Sequence, residues 1–584
     1  MTLRELPVLE ISVPMAVDAP RAPRSPGDER VAEFRPEDPA LPRFWVWTLG
    51  CQMNKSDSEE MAGRLLAAGC AEASSMEAAD LVVINTCAIR EAAEAKVIGR
   101  QGALRALKGA NPALRVVLTG CAVRERDRAG LARRFPAVDL FLRPDEEPEL
   151  VERLGLASAQ GPVGLGLAAG PPAATDARGA TDARAATDAQ AAAPAPATTA
   201  ATTVVQGVPV SSADHLPGSR ADAVRAGTVR RESDVAAWLP IIYGCDKTCT
   251  YCIVPFSRGP ERSRPFDEVV AEARALAAGG YREVTLLGQN VNSYGYDLPA
   301  EDRFAHAAEV RRAGRRLDRA GRPDLAELIR AIDAIRDDGG RPAIPRLRFI
   351  TSHPWDLSDR LIDAMAACPS VCEALHLPVQ SGDDAVLRRM GRQYTITHYR
   401  ERLDRIRAAV PGIAVSTDVI VGFCGETDVQ YAATLDLLDA VRYDQVFAAA
   451  YSPRPGTPAS RLPDDVPAAV KRERLNRLLA AQEEIGFARN RERIGSSASV
   501  LVDAVARPRA HDHDAADGEP SAGLLTLVGE DPFADPLPAG WVRLFGRSRE
   551  NRLVHLPGPP ELVGQIVDVR IVGAGPYSLR GIPA

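Results

Sequence analysis

The chain has 584 residues, of which 45% are hydrophobic and 26% are charged, and its formal net charge is −7. This length exceeds what one hydrophobic core supports, and the composition is that of an ordinary soluble protein. No apolar run approaches the roughly 20 residues of a membrane helix, and the N-terminal stretch lacks a signal-peptide core. We therefore expect a cytoplasmic protein that contacts no membrane. In that compartment its ten cysteines favour metal or redox chemistry over disulfide bonds.

Stretches of unusual composition divide the chain. Residues 1–41 are rich in proline and charge and are predicted to be a disordered tail. Residues 159–230 consist largely of Ala, Thr, Pro and Gly, which predicts a flexible linker. An Arg-rich insertion at 297–322 has a helical pattern and is predicted to be a solvated decoration, with an additional RNA-facing patch as the alternative. These breaks predict three folded domains: 42–158, 231–484 and 487–584, the last with an insertion at about 507–538.

The N-terminal domain alternates strand-like and helical patterns, which predicts a doubly wound parallel α/β sheet. Its strand-like runs FWVWTLG, LVVINT and RVVLTG lead into Cys51, Cys87 and Cys121. Because the carboxyl ends of parallel strands share one edge of a sheet, these thiols should meet there as ligands of a soft metal or an iron–sulfur cluster. For Cys87 taken alone, the alternative is an inert, buried space-filler. A capping box at Ser56 and Glu59 predicts where the first helix begins.

A second cysteine group follows the linker, in the sequence GCDKTCTYC. Cys245, Cys249 and Cys252 form a C-x3-C-x2-C pattern directly after the strand-like run WLPIIYG. Three thiolates on a four-iron cluster leave one iron open to bind and reduce another molecule. A zinc site is the alternative, but it normally requires four protein ligands, and no histidine lies nearby in the sequence.

Six strand-like runs alternate with helical segments in the middle domain, which predicts an incomplete (β/α)6 barrel with its site at the C-terminal rim. Polar residues at or near the ends of these runs are candidates for that rim: Gln289, Asn290, Asn292, Ser352, His353, Gln380, Ser381, Asp418, Glu426 and Arg454. Taken one at a time, each could instead be a polar residue that caps a loop.

The C-terminal domain has short β runs separated by glycine turns, which predicts a small antiparallel β-barrel. Aromatic residues and His555 are interleaved with four arginines that form a predicted RNA-binding patch: Arg543, Arg547, Arg549 and Arg552. Such a patch suits phosphates and unstacked bases, although each arginine could also belong to an ordinary solvated surface. The local positive charge outweighs the objection that the net negative charge raises against a nucleic-acid partner.

These motifs together resemble the radical S-adenosylmethionine methylthiotransferases. The matching stretches are GCQMNKSDSE, NTCAIREAAEAKVIGRQG, TGCAV, GCDKTCTYCIVPFSRGPERSRP, EVTLLGQNVNSYG, FITSHPWD, LHLPVQSG, STDVIVGFCGE and YSPRPGTPA. GCQMN followed by SDSE is similar to the MiaB-type branch. Enzymes of that branch add a methylthio group to carbon 2 of N6-dimethylallyladenosine in tRNA, next to the anticodon.

The resemblance implies two 4Fe-4S clusters. One would be held by Cys245, Cys249 and Cys252, and its open iron would bind S-adenosylmethionine. The other, auxiliary cluster would be held by the three cysteines of the N-terminal domain. No side chain beyond these ligands is predicted to be catalytic. Residues predicted to bind the cofactor are Tyr251, Gln289, Asn290, Ser352, Gln380, Asp418 and Glu426.

The resemblance also implies partners. A C-terminal TRAM domain would bind the tRNA substrate, a flavodoxin- or ferredoxin-like protein would donate electrons, and a sulfur source would be required. We expect the protein to be a monomer. One departure from the family is Cys424, which stands in GFCGE where the family usually has GFPGE.

Two other functions remain open at this level. A methylthiotransferase could act on a ribosomal protein or on threonylcarbamoyladenosine in tRNA. From a different class, a zinc-stabilised RNA-binding protein without catalysis would use the same cysteines as structural ligands.

Overall fold

This computed structural model describes residues 42–87, 96–123, 128–156, 229–304, 310–312, 315–317, 321–506 and 527–584. The predicted N-terminal tail, nearly all of the linker and much of the predicted 507–538 insertion lie outside the described residues. None of the helices in these described ranges is long and apolar enough to cross a membrane.

The N-terminal domain is a doubly wound parallel sheet, as predicted. Its strands and helices, in chain order, are β1 (Arg43–Leu49), α1 (Gln52–Ala67), β2 (Ala71–Glu72), β3 (Leu81–Thr86), α2 (Gln101–Ala110), β4 (Arg115–Thr119), α3 (Arg128–Arg134), β5 (Leu140–Phe141) and α4 (Leu150–Arg153). All neighbours in the order β2-β1-β3-β4-β5 are parallel. Alternate residues of β3 face opposite sides of the sheet, so Val83 packs against α1 and α4 while Ile84 packs against α2 and α3.

Helix α1 begins earlier than its sequence pattern indicates. It starts at Gln52 with Cys51 as its N-cap residue, so the predicted start at Ser56 and Glu59 is wrong. The backbone N–H of Cys51 donates to Oδ1 of Asn54 at 3.4 Å, and this contact closes the first turn directly after β1. Ser56 and Glu59 are instead buried inside the helix.

The middle domain is the incomplete parallel barrel that the sequence predicts. Its strands are β6 (Ala236–Pro240), β7 (Ile242–Tyr243), β8 (Arg262–Ser263), β9 (Glu283–Leu287), β10 (Val310–Arg312), β11 (Arg315–Leu317), β12 (Arg346–Phe349), β13 (Ala374–His376), β14 (Ala414–Val421) and β15 (Gln445–Ala450). Its helices are α5 (Val254–Ser257), α6 (Phe266–Ala278), α7 (Leu325–Asp333), α8 (Asp359–Ala367), α9 (Asp384–Arg389), α10 (Ile396–Ala409), α11 (Asp428–Val441) and α12 (Ala468–Arg491).

Six of these strands run parallel in chain order around the barrel. Three form the sheet β6-β9-β12 and three form the sheet β13-β14-β15, and a bridge from Leu347 to Val371 links the two sheets. The short pairs β7–β8 and β10–β11 are antiparallel and lie outside this set. The helical pattern of the Arg-rich insertion is wrong for the residues of β10 and β11, which form a two-stranded ribbon.

The C-terminal domain is a closed five-stranded barrel with one additional edge strand. Its strands are β16 (Ser497–Val505), β17 (Val528–Gly529), β18 (Val542–Ser548), β19 (Leu553–Gly558), β20 (Ile566–Ala574) and β21 (Ser578–Pro583). Closure follows because β16 pairs with both β18 and β20. The predicted antiparallel barrel is confirmed except for β19 and β21, which pair in parallel.

The C-terminal barrel is docked on the amino ends of the middle domain's strands. Arg346 and Arg348 of β12 are buried and donate to backbone carbonyls of β16 and of the β18 end, including Ser499 O and Ser548 O at 2.8 Å. Parallel strands begin at this edge, so the docked domain lies opposite the edge where the cysteine-bearing loop follows β7. One end of the middle-domain barrel therefore binds the C-terminal domain, and the other end carries the cysteine loop.

Candidate active site

The first cysteine set lies at the carboxyl edge of the N-terminal sheet. Cys51 follows β1, Cys87 follows β3 and Cys121 follows β4, and the register places Leu49 opposite Thr86. Strand order changes direction between β1 and β3, and such a switch point is where open α/β sheets form a ligand crevice. A side chain on Gly50 would have its Cβ only 3.1 Å from the Cβ of Cys87, so these loops approach each other closely.

Burial and neighbouring charges both shift the pKa of a thiol in this set. Cys87 and Cys121 are buried, whereas Cys51 is half-buried at the N-terminus of α1. Burial raises the pKa of the Cys121 thiol, the nearby Arg258 guanidinium lowers it, and the Cys51 thiol raises it. These effects place the Arg258 guanidinium and the Cys51 thiol within electrostatic reach of Cys121.

Amides and hydroxyls behind this edge hold the loops together. Asn85 is fully buried and donates to Ser58 Oγ at 3.1 Å and to Asn54 O at 2.8 Å. Asn54 Nδ2 in turn donates to Asn85 Oδ1 at 2.7 Å. These bonds tie β3 to α1 and so fix Cys51 relative to Cys87. Sequence reasoning missed Asn54, although it belongs to the same GCQMN motif.

The second cysteine set lies on one loop at the carboxyl edge of the barrel. Gly244 starts this loop with φ +72°, and a Cβ there would lie 2.0 Å from Pro260 O, so only glycine fits. Burial raises the pKa of Cys245 to about 12 and also raises that of Cys252, and the thiol of Cys249 adds to both effects. Arg392 donates from Nη1 to Cys249 Sγ at 3.4 Å.

Several oxygen atoms beside this loop are buried without a hydrogen-bond partner in the described part of the chain: Gln289 Oε1, Asn290 Oδ1, Asn292 Oδ1, Ser352 Oγ and Asp356 Oδ1. Unsatisfied buried acceptors are rare in proteins, and their concentration indicates a place where a polar ligand binds. Asp356 Oδ2 also receives Lys247 Nζ at 2.5 Å, and Lys247 belongs to the cysteine loop itself. Sequence reasoning did not identify Lys247 or Asp356.

Of the remaining predicted cofactor residues, Tyr251 lies on the cysteine loop, whereas Gln380 and Asp418 lie at the barrel rim. Tyr251 packs against a small apolar cluster and lies within the electrostatic reach of Cys249 and Cys252. Gln380 has φ +72°, and its N–H donates to Asp418 O at 2.8 Å, so the chain turns sharply at the rim. The carboxylate of Asp418 lies 3.4 Å from His376 Nε2 and remains partly exposed.

Glu426 has a different environment from the other rim residues. Its Oε2 accepts from Gly422 N at 2.6 Å and from Arg474 Nη1 at 2.8 Å. Burial raises its pKa, and the Gly422 N–H and the Arg474 charge oppose that change. These contacts show that Glu426 closes the GFCGE loop onto α12.

The donor chemistry of both cysteine sets fits iron–sulfur clusters. Each set supplies three thiols, and in each set an arginine N–H is directed at a sulfur. Among the described residues, no three His, Cys, Asp or Glu side chains come close enough to hold a single metal ion. A four-iron cluster has its irons at separate corners, so its thiolates stand farther apart than the ligands of one zinc ion.

Comparisons with known proteins agree with this arrangement. The Radical SAM superfamily model matches residues 239–438, and the model described as Uncharacterized protein family UPF0004 matches residues 43–143. A tRNA-2-methylthio-N(6)-dimethylallyladenosine synthase of Chloroflexus aurantiacus is 35% identical over 95% of this chain and 94% of its own length. The protein of that name in Symbiobacterium thermophilum is 37% identical over 92% of this chain and 94% of its own length. The chain belongs to this synthase family.

Membership of the synthase family accounts for the cofactors that both cysteine sets fit. The radical SAM superfamily match covers the C-x3-C-x2-C loop and most of the barrel, so S-adenosylmethionine and an iron–sulfur cluster belong to that domain. The UPF0004 match covers Cys51, Cys87 and Cys121. The family resemblance inferred from the motifs is therefore confirmed.

The departure at Cys424 from the family's usual loop has a structural explanation. Cys424 is buried in a small apolar cluster with Val386, Met390, Phe423 and Tyr451. Its pKa is raised by burial, which favours the neutral thiol. Tyr251 of the cysteine loop packs against the same cluster, so Cys424 belongs to the apolar core on which that loop rests.

The four arginines of the predicted RNA-binding patch have two different environments. Arg549 makes two contacts with the carboxylate of Glu373, at 2.7 and 2.9 Å, and Arg552 is paired with Asp444. Arg543 and Arg547 are exposed on the outer face of β18. The first two therefore help to dock the C-terminal domain on the barrel, and RNA binding by any of the four stays a prediction.

The structure also reveals a contact between the barrel domain and the first cysteine set. Arg258 directly follows α5, in the chain segment that continues from the cysteine loop. It donates from Nε to Cys121 Sγ at 3.1 Å. It donates from Nη2 to Asp57 Oδ2 of α1 at 2.6 Å. No sequence spacing connects Arg258 with Cys121, since the two residues are 137 positions apart.

Proposed function

We propose that this protein transfers a methylthio group to carbon 2 of N6-dimethylallyladenosine in tRNA, next to the anticodon. The single observation that carries the proposal is the presence of two separate three-cysteine sets in domains that contact each other through Arg258. A radical enzyme that only cleaves S-adenosylmethionine needs one such set. A second set at a neighbouring crevice supports the insertion of sulfur at the carbon that the radical activates.

The cysteines have distinct proposed roles. Cys245, Cys249 and Cys252 would hold the cluster that binds S-adenosylmethionine, and the three N-terminal thiols would hold the auxiliary cluster. When bound, these groups supply reductive cleavage of S-adenosylmethionine to a carbon radical at one site and the sulfur at the other. The chain's own contribution is to hold the two sites in fixed positions and to exclude water from most of the thiols, which are buried or half-buried.

The unpaired oxygen atoms beside the cysteine loop suit the cofactor's polar groups. An ammonium group and ribose hydroxyls are donors, and Gln289, Asn290 and Ser352 present buried acceptors without partners in the described chain. Tyr251 would lie beside the adenine, and Gln380 and Asp418 would line the wall beyond it. Glu426 would act by holding its loop in place, because Arg474 and Gly422 already occupy its carboxylate.

The outer face of the C-terminal barrel suits RNA. Arg543, Phe545 and Arg547 alternate with core residues along β18, and the register places His555 of β19 opposite Phe545. Arg580 of β21 lies beside His555 in turn. Cations interleaved with aromatic rings on one face bind phosphates and stack on unpaired bases.

The remaining features of the proposal follow from its chemistry. Reductive cleavage requires an external electron donor, for which a flavodoxin- or ferredoxin-like protein is suitable, and each turnover consumes a sulfur source. A tRNA substrate favours a cytoplasmic location and, with one complete set of sites in the chain, a monomer. The domain limits 42–158, 231–484 and 487–584 are part of the same proposal.

Two measurements on the same preparation test the function. Protein purified without oxygen should contain about eight iron atoms per chain, as two four-iron clusters require. Incubated with S-adenosylmethionine, a reductant, and tRNA from a strain lacking the methylthio group, it should form 2-methylthio-N6-dimethylallyladenosine. A colourless, zinc-loaded protein, or an iron-loaded protein that leaves this tRNA unmodified, would contradict the proposal.

A further inference from the structure

In each three-cysteine set, a buried arginine donates a hydrogen bond to a sulfur. Arg392 donates to Cys249, and Arg258 donates to Cys121. The two arginines differ in their other contacts. Among the described residues, Arg392 donates its other hydrogen bonds to groups of the barrel, namely Tyr394 Oη at 2.9 Å and Pro378 O at 2.8 Å. Arg258 crosses from the barrel domain into the N-terminal domain.

The position of Arg258 is determined from both sides. Its backbone N–H donates to Val254 O at 2.8 Å, so it ends α5, the short helix that directly follows Cys252. The residue is only 6% exposed, and its side chain is paired with Asp57 on α1, the helix that directly follows Cys51. One residue therefore connects the chain segment after the cysteine loop with Cys121 and with the helix that follows Cys51.

Several ionisable groups surround Arg258. Besides Asp57 and Cys121, the buried carboxyl of Glu147 lies within electrostatic reach, and Glu147 accepts from Thr119 Oγ1 at 2.6 Å. A buried cation in this position is stabilised by the anions around it, and removal of one partner leaves the others uncompensated. Hydrogen bonds to the sulfurs and the net charge nearby set the reduction potential of an iron–sulfur cluster.

We propose that Arg258 is a positioning residue that orients Cys121 and sets the reduction potential of the auxiliary cluster while linking that site to the radical site. The inference rests on the proposed function, because it requires a cluster on the N-terminal cysteines. Its positive charge and its N–H donated to sulfur both favour the reduced, more negative state of the cluster. Asp57, its buried counter-ion, acts in the opposite direction.

The test is a potentiometric titration of both clusters, followed by electron paramagnetic resonance, in the full-length protein. Arg258→Met should lower the midpoint potential of the auxiliary cluster and leave that of the radical-site cluster unchanged. Arg258→Lys, which keeps the charge but loses the planar fork, should restore part of the shift. Asp57→Asn should raise the auxiliary potential. A purely structural role would not reverse the direction of the shift between Arg258→Met and Asp57→Asn.

Arg303→Met is the matched control, because Arg303 is an exposed arginine paired with Asp267 and Glu301. It should change neither potential. An auxiliary potential that is the same in Arg258→Met as in the unmodified protein overturns the inference. If Arg258→Met loads too little auxiliary cluster to titrate, Asp57→Asn decides, and an unchanged or lower potential in that variant overturns it. A single cluster in the unmodified protein would instead contradict the proposed function itself.

Discussion

The two cysteine sets of this protein are built in opposite ways. Cys245, Cys249 and Cys252 lie on one loop, and their proximity follows from spacing along the chain. Cys51, Cys87 and Cys121 are brought together by three parallel strands that end at the same level of a sheet. The first set depends on one turn of backbone, whereas the second depends on a whole domain. Changes far from the cysteines should therefore disturb the second set more.

The largest expected effect comes from the cysteines themselves. Cys249→Ala should abolish both cleavage of S-adenosylmethionine and methylthiolation, by more than about 100-fold, since loss of outer contacts to a metal site alone costs 10–100-fold. Cys87→Ala should leave cleavage largely intact and abolish methylthiolation alone. Chromatography with mass detection of 5′-deoxyadenosine and of the modified nucleoside measures both. Methylthiolated tRNA formed by Cys87→Ala would show that Cys87 has no role in the auxiliary site.

Weakening the contact between the N-terminal and middle domains should affect only the auxiliary site. Arg231 is buried and lies 3.6 Å from Glu59 of α1 and 2.9 Å from Glu272 of α6. Arg231→Met removes the cation that bridges Glu59 and Glu272, although Glu272 keeps its pair with Arg264 at 2.7 Å. The change should lower the free energy of unfolding by about 2 kcal/mol. Methylthiolation should fall while cleavage persists. Urea unfolding and the two product assays measure these effects.

The neighbouring Arg230 supplies a control for that variant. Its pair with Glu72 is on the surface, with the two side chains 35% and 47% exposed. Arg230→Met should cost no more than about 1 kcal/mol. Equal losses in the two variants would contradict the role assigned to the buried pair.

A single glycine tests how far the auxiliary site depends on strand ends. Gly120 has φ +91°, and a Cβ there would lie 2.3 Å from Thr86 O. Gly120→Ala should destabilise the N-terminal domain by about 2 kcal/mol and reduce iron content toward that of one cluster. Gly109 in α2 has open space around it, so Gly109→Ala should be neutral or stabilising by up to about 1 kcal/mol. Full iron loading in Gly120→Ala would mean that the strand ends tolerate displacement.

The smallest expected effect lies away from both cysteine sets. Arg543→Gln on the outer face of β18 should weaken tRNA binding a few-fold and reduce the salt dependence of binding by about one phosphate contact. Cleavage of S-adenosylmethionine without tRNA should not change. Arg549→Gln should instead lower stability, because Arg549 is paired with Glu373 at the domain contact. Filter binding at several salt concentrations separates the two arginines.

The same contrast explains which predictions succeeded. The alternation of strands and helices has a short-range cause, so the doubly wound sheet and the six-stranded barrel could be predicted. The C-terminal barrel could be predicted from its short β runs and glycine turns, which are also local signals. The start of α1 could not, because Cys51 and Asn54 close its first turn only once β1 delivers the chain to that point. The ribbon of β10 and β11 has a helical pattern, and pairing between its strands overrides that local preference.

Long-range ion pairs could not be predicted from the sequence for a different reason. Arg549 and Arg552 have the composition of an RNA-binding patch, yet Glu373 and Asp444 lie opposite them at the barrel. A basic residue on a strand carries no local signal of where its counter-ion will be. The RNA-binding and cofactor-binding assignments of individual side chains therefore stay predictions, supported by position alone.

The sequence by itself determined the six candidate cluster ligands. Residue identity, motif spacing and the ends of apolar strand-like runs are all local features of the sequence. Only the tertiary structure decided what surrounds them. Arg258 meets Cys121 and Asp57 because a loop of one domain is pressed against a helix of another. Such a contact depends on how two folded surfaces fit together, and no period or motif within either segment encodes it.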